Sequence, residues 1–247
     1  MTVALVTGAS RGIGAAIALA CARAGHDVAI NFAQDHLAAE AVAVQVRGLG
    51  RRALTVQADV ADEAQVLAMF QRIAAELGHI DALVNNAGIV APAARLDEQD
   101  VARWQRVFNI NLIGTLLCCR EAIKRMSTRH GGRGGVIVNL SSRAALFGSP
   151  GIYVDYAASK GAIDSLTVGL AREVINEGIR VNGVRPGIID TEIHASSQTQ
   201  DMLPEAVANI PIQRMGTAQE VAEAVIWLLS DKASYSVGTM LDVGGGR

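Results

Sequence analysis

Tyr156 and Lys160 stand four residues apart at the start of an apolar-periodic stretch, a spacing that puts both side chains on one face of a helix. Of the three tyrosines, Tyr153 is followed four residues on by Ala157 and Tyr235 by Thr239, so Tyr156 alone has a lysine at that distance. A free phenol titrates near 10, and proton transfer close to neutral pH asks for a reduction of roughly two to three units, or about 3–4 kcal/mol. A cation at about 4 Å contributes on the order of 4 kcal/mol at an effective dielectric of 20. The pair therefore reads as a proton donor and its tuning cation. YxxxK also occurs by chance in amphipathic helices, so the assignment depends on its surroundings.

Upstream, Thr7-Gly8-Ala9-Ser10-Arg11-Gly12-Ile13-Gly14 follows a strand-like run and opens an alanine-rich helical one. Each glycine has a physical task there. Gly8 permits the tight strand-to-helix turn, Gly12 lets the backbone approach a pyrophosphate, and Gly14 allows close helix–strand packing, while the helix amino terminus adds positive potential. Glycine spacing alone also suits ordinary turns; its place at the first βα turn of a βαβ series makes it read as a dinucleotide cradle. Asp59-Val60 after the third strand and Asn85-Asn86-Ala87-Gly88 after the fourth fall at the same carboxyl edge. Candidate cofactor contacts are thus Gly8, Ser10, Arg11, Gly12, Ile13, Gly14, Asp59, Val60, Asn86, Ala87 and Gly88. Asp59 reads equally well as a residue that starts a helix.

A carboxylate at the end of the second strand would bind adenosine ribose hydroxyls and repel a 2′-phosphate, but Asn31-Phe32-Ala33 stands there. Arg11 lies in the glycine loop, and a guanidinium suits that phosphate by bidentate geometry. NADP(H) is therefore favoured, with NAD(H) as the alternative. Asp35 sits near the spacing of a ribose-binding acid, but its place before a helical run favours a capping role.

The elements that must carry these residues alternate regularly. Candidate strands are 3–7, 27–32, 53–57, 82–85, 136–140, 180–184 and 240–243; candidate helices are 12–24, 36–49, 62–77, 98–129, 155–177 and 217–230, with apolar residues at three- and four-residue intervals. This predicts an α/β fold with a doubly wound parallel seven-stranded sheet and right-handed helical crossovers. Without a linker or repeat, residues 1–247 read as a single domain. The irregular stretch at about 188–214 reads as a substrate lid or as a plain surface insertion.

Half the residues are hydrophobic and 19% are charged, too apolar for disorder and normal for a sheet buried on both faces. A net charge of −2 gives no basic field for nucleic acid or an anionic membrane surface, which favours a small-molecule ligand. Cys21, Cys118 and Cys119 lack CxxC spacing and read as reduced core residues; the five scattered histidines show no metal-binding pair, so no metal is expected. A strand-like run begins before any charged leader could form and no apolar stretch is long enough to span a bilayer, so a cytoplasmic protein is expected.

Taken together, the chain resembles the short-chain dehydrogenase/reductase family, matching its TGxxxGxG loop at Thr7–Gly14, its NNAG at Asn85–Gly88, its helical asparagine at Asn111, its serine at Ser142, its YxxxK at Tyr156–Lys160 and its proline-glycine turn at Pro186-Gly187. The match spans nearly the full chain. It implies a Rossmann fold in which a hydride passes between C4 of a nicotinamide and a carbonyl carbon while Tyr156 gives or takes the oxygen-bound proton. Ser142 would steady that oxygen, Lys160 would hold the nicotinamide ribose and lower the phenol, and Asn111 would fix a water behind Lys160. Tyr156, Lys160, Pro186, Gly187 and Thr191 would also touch the cofactor. The family usually has thirteen or fourteen residues between its serine and tyrosine, which favours Ser142 over Ser141; the INLIG context favours Asn111 over Asn109.

Among family branches the chain looks closest to 3-oxoacyl-carrier-protein reductases and glucose dehydrogenases. An acidic acyl-carrier partner would need a basic patch, for which Lys124, Arg125, Arg129, Arg133 and Arg172 are candidates, although arginines on a helix usually form a solvated face. Arg143, Phe147, Ile152 and Tyr153 suggest a partly apolar pocket for a small carbonyl or alcohol substrate. The resemblance also implies a homotetramer paired through the helices at 98–129 and 155–177. The alternative is a nucleotide sensor without turnover, which would need the glycine loop but no tuned proton donor.

Overall fold

The computed structural model describes residues 2–192 and 199–247. Seven strands, β1 (Val3–Val6), β2 (Asp27–Phe32), β3 (Ala53–Gln57), β4 (Ile80–Asn85), β5 (Gly135–Leu140), β6 (Ile179–Pro186) and β7 (Met240–Val243), form one sheet. Its order is β3-β2-β1-β4-β5-β6-β7, and every neighbouring pair is parallel. The chain reverses its direction of travel across the sheet between β1 and β4. At such a switch point the carboxyl ends of the strands open a crevice.

Alternate strand residues feed two cores. Ala4 and Val6 of β1, with Val28 and Ile30 of β2, pack with Ile17, Val42 and Val225 from the helices α1 (Gly12–Arg23), α2 (His36–Gly48) and α9 (Ala218–Leu229). Val3, Leu5 and Ala29 pack instead with Phe70, Ala122 and Val174 from α3 (Glu63–Glu76), α5 (Gly114–Met126) and α7 (Val154–Val174). Side chains of a strand point to opposite faces, so a sheet covered on both sides needs continuously apolar strands. Each fully buried side chain such as Leu5 or Ile17 contributes roughly 1.5–3 kcal/mol. The three cysteines are free and buried, and burial pushes the Cys21 and Cys119 thiols up to about 12.

The helix expected at 98–129 is interrupted. The helix α4 (Val101–Phe108) is followed by a π-helical turn, Asn109–Ile113, before α5 begins at Gly114. Such turns insert a residue into the helical repeat and recur at functional sites. Here Asn111 is buried and Asn109 exposed, which separates the two candidates. Short α6 (Ala144–Phe147) and α8 (Leu203–Ala208) complete the description. Within 188–214, Ile189 bridges Gly216 and α8 follows a 3-10 turn at Gln200–Met202; residues 193–198 of that expected lid lie outside the described residues. Among the described residues no helix is long and apolar enough to cross a membrane.

Candidate active site

The carboxyl ends of β1 and β4 are stitched together by two side chains. Thr7 Oγ1 accepts from the backbone N–H groups of Asn86 and Ala87, both at 3.0 Å. Asn86 Nδ2 donates back to the carbonyls of Thr7 and Gly8 at 2.9 and 3.0 Å. Gly8 adopts φ +61°, and a Cβ there would lie 2.9 Å from Ala87 Cα; a Cβ on Gly14 would lie 2.3 Å from the Gly8 carbonyl oxygen. The turn and the helix–strand contact thus both require glycine. Gly12, at φ +55°, faces Thr191, whose Cγ2 would be 3.5 Å from an added Cβ. This brings the glycine loop together with the segment that follows Pro186-Gly187, where Gly187 donates to the Val243 carbonyl at 2.8 Å. Ser10 and Ile13 are partly buried in the same loop.

Asn31, which interrupts the apolar β2, is buried and satisfied. Its Oδ1 accepts from Gly8 N–H at 3.2 Å, and its Nδ2 donates to the carbonyls of Val56 and Ala58 at 3.3 and 3.0 Å. It ties the ends of β1, β2 and β3 together, a role that the sequence pattern did not reveal. Asp35 caps α2 by accepting from Ala38 N–H at 2.9 Å, as its position suggested. Arg11 is exposed, and no described residue bonds its guanidinium. Asp59 accepts from Ala61 N–H at 2.9 Å in an exposed turn, beside buried Val60.

Past β5, the two serines part company. Ser141 is buried and donates to the Lys160 carbonyl at 3.0 Å. Ser142 is partly exposed, takes Ala144 N–H at 3.1 Å and lies near enough to the Tyr156 phenol to pull its pKa down. Tyr156 also meets Tyr153 edge-on, with ring centroids 5.5 Å apart. Lys160 is buried; its Nζ donates to the Leu140 carbonyl at 2.7 Å and lies 5.7 Å from the Tyr156 ring centroid. Asn111 Nδ2 donates to the Ile89 carbonyl at 3.0 Å and to Ser159 Oγ at 3.1 Å, while its Oδ1 accepts from Ile89 N–H at 2.8 Å. A Cβ on Gly88 would come within 3.5 Å of both Asn111 Oδ1 and Lys160 Nζ. The four residues expected to react therefore converge beside the NNAG turn.

The electrostatics differ from the sequence-based expectation in one respect. Burial pushes the Tyr156 phenol up to about 12, against the pull of the hydrogen bond from Ser142. Burial likewise lowers Lys160 to about 8, with Asp164 opposing. The lysine is aimed at the Leu140 carbonyl rather than the phenolic oxygen, so desolvation outweighs its attraction. The expected basic patch is also largely neutralised. Lys124 and Arg125 pair with Glu121 at 2.8 and 2.7 Å, Arg133 with Asp81 at 2.7 Å, and Arg129 with Glu177 at 3.8 Å. No group of three or more His, Cys, Asp or Glu residues that could hold a metal occurs among the described residues.

Comparison with known proteins identifies relatives of the chain. Residues 8–247 match the family model described as enoyl-(acyl carrier protein) reductase. An oxidoreductase of Escherichia coli K12, YgfF, is 52% identical over the whole of both chains. Cis-4-hydroxycyclohexanecarboxylate dehydrogenase of Sinomonas cyclohexanicum is 43% identical over 99% of this chain and 95% of its own, and the 3-oxoacyl-[acyl-carrier-protein] reductase FabG of Staphylococcus aureus Mu50 is 39% identical over 98% and 96%. A blue fluorescent protein from a metagenomic library, solved in complex with NADPH, superposes with a TM-score of 0.91 at 36% identity, covering 99% of this chain and 97% of that one. The chain is an oxidoreductase that belongs to the short-chain dehydrogenase/reductase family, whose members use nicotinamide cofactors.

Proposed function

We propose that this chain interconverts a carbonyl compound and a secondary alcohol with NADP(H), through Tyr156, Lys160, Ser142 and Asn111. The observation that carries the reading is the buried Lys160 Nζ 5.7 Å from the Tyr156 ring and beside Asn111 at Gly88, with Ser142 acting on the phenol, at the carboxyl edge of the sheet. The glycine cradle fits a dinucleotide: Gly8 and Gly12 are in the left-handed region, where a side chain would be strained. Gly8, Ser10, Arg11, Gly12, Ile13, Gly14, Asp59, Val60, Asn86, Ala87, Gly88, Pro186, Gly187 and Thr191 would hold it, with Tyr156 and Lys160 at its reactive end.

When bound, the nicotinamide supplies or accepts the hydride and, in its oxidised form, a positive charge beside the phenol. Tyr156 gives the substrate oxygen its proton in reduction and takes it in oxidation, and Ser142 donates to that oxygen. Lys160 holds the ribose and supplies a cation near the phenol. Asn111 pins the loop backbone at Ile89 through two hydrogen bonds and would fix a water behind Lys160.

Arg11 supports NADP(H), because its guanidinium is uncommitted among the described residues while Asp35 is occupied as a cap. The named activities of the relatives point to a cyclic hydroxy acid or a 3-oxoacyl thioester as the substrate class. We infer further that residues 1–247 act as one domain in a cytoplasmic homotetramer. The exposed Val101, Ile113 and Leu116 on α4, the π-turn and α5 supply an apolar face for subunit pairing, and light scattering that gives a monomer refutes it.

Oxidation of NADPH and NADH is to be followed against cyclic oxo acids, 3-oxoacyl thioesters, aldehydes and quinones, with Tyr156→Phe as comparison. Turnover that falls at least a thousandfold in Tyr156→Phe, with NADPH still bound, is the expected result. Turnover that survives the substitution overturns the assigned role. Binding of NADPH with no turnover on any compound favours a sensor.

A further inference from the structure

Arg103 on α4 makes a buried ion pair with a residue so far given no role. Its Nε and Nη2 donate to Asp155 Oδ2 and Oδ1 at 2.8 and 3.1 Å, and the two side chains are 13% and 2% exposed. The remaining Nη1 donates to the Pro92 carbonyl. Asp155 sits in the first turn of α7, immediately before Tyr156, and Pro92 lies on the segment that continues from Asn86-Ala87-Gly88. A second tie runs alongside, from Ala94 N–H to the Ile152 carbonyl at 2.9 Å. One guanidinium thus joins α4, the segment after β4 and the start of α7.

We propose that Arg103 and Asp155 form a positioning pair for Tyr156, which fixes the first turn of α7 against the segment at 86–95 and cancels the carboxylate charge next to the reacting tyrosine. The inference rests on the reading of Tyr156 as the proton donor. Exposed ion pairs hold little, but a buried bidentate pair fixes geometry, and removal of one partner leaves the other charge out of water. Tyr156 faces Ser142 from the β5–α6 turn, Tyr153 just before α7, and Lys160 on its own helix; Arg247 acts on Tyr153 from the carboxyl end. Among the described residues the cation bonded to Asp155 is Arg103.

The test follows the phenol itself. The chain has three tyrosines, so the variant Tyr153→Phe/Tyr235→Phe leaves Tyr156 alone to report phenolate by ultraviolet absorbance. In that background Asp155→Asn leaves an unopposed cation and should move the titration midpoint down by roughly one pH unit. Arg103→Gln should not move it down, and the double variant should return it to within a few tenths of the parent. Arg103→Lys keeps the charge and should leave it in place, which retains a decisive comparison with Asp155→Asn if Arg103→Gln does not fold. A pair that merely braces the fold would lower the melting temperature without these shifts, and a midpoint unmoved in Asp155→Asn overturns the proposal. Failure of the underlying reading is separate, because it shows as turnover that survives Tyr156→Phe.

Discussion

Lys160 Nζ hydrogen-bonds the Leu140 carbonyl at the end of β5 rather than the Tyr156 oxygen, and it does so from a buried position. The strand end therefore orients the ammonium across the site. Burial lowers Lys160 to about 8, so its charged form carries a desolvation cost that the native state does not fully recover.

Replacement of Lys160 should therefore stabilise the protein while it stops turnover. The folded group releases its proton near 8 and the unfolded one near 10.5, so the unfolded chain binds more protons between those values and stability rises with pH across that window. The cost is fully present below pH 8 and is worth about 3 kcal/mol at 1.36 kcal/mol per unit. Tyr156 has the opposite sign. Its folded phenol is pushed up to about 12 from 10, so its contribution is present below pH 10 and is lost as pH rises towards 12. Urea titrations at pH 7 should find Lys160→Met more stable than the parent by 1–3 kcal/mol, and at pH 9.5 the gap should shrink. A variant that is less stable at pH 7 would show that the charge is compensated.

Ser141 and Ser142 should separate cleanly. Ser142 acts on the phenol, whereas Ser141 is turned to the Lys160 carbonyl. Loss of a donor aimed at the substrate oxygen costs on the order of 10²–10³ in kcat, which is expected for Ser142→Ala together with a stability loss of at most about 1 kcal/mol for the bond from Ala144 N–H. Ser141→Ala should keep kcat within a fewfold and lose about 1 kcal/mol of stability, the usual worth of one buried hydrogen bond. Equal losses of kcat in both variants would refute the assignment.

Much of this architecture was legible because a doubly wound sheet leaves regular marks. Continuous apolar strands, glycines at a first βα turn and a tyrosine four residues before a lysine each follow from a local geometric demand, and all seven expected strands are present. The π-turn at Asn109–Ile113 was not legible, since a run of helix-compatible residues does not announce an extra residue in the repeat; what betrays it is Gly114 packed against Val60, a contact between distant segments. Asn31 and Arg103 were missed for the same reason. Their partners lie 11 to 52 residues away, where periodicity carries no information. Burial, which raises the phenol in this fold, comes from tertiary packing that the Tyr-Lys spacing does not display.

Arg11 should set the choice of cofactor. Its guanidinium stands free among the described residues at the start of α1, and a bidentate contact to a 2′-phosphate would be made with NADPH alone. Arg11→Gln should raise KM for NADPH about tenfold to a hundredfold and leave KM for NADH within a fewfold. If both rise together, the residue shapes the loop instead of reading the phosphate.

Gly114 links the reacting turn to the cofactor cleft by contact alone. A Cβ there would stand 2.7 Å from Val60 Cγ2 and 3.0 Å from Val60 Cβ, separations that one side or the other must relieve by moving. Val60 borders the expected adenosine side, and Gly114 closes the π-turn that presents Asn111. Overpacking of this kind typically costs 1–3 kcal/mol, so Gly114→Ala should lower stability by that amount and weaken NADPH binding about tenfold, read by fluorescence titration. Val60→Ala in the same chain removes the nearest contact, Cγ2, but keeps Val60 Cβ and its carbonyl oxygen at 3.0 and 3.1 Å, so it should restore part of both. A double variant as impaired as Gly114→Ala alone would show that the Val60 Cγ2 contact is not the reason a glycine is needed at 114.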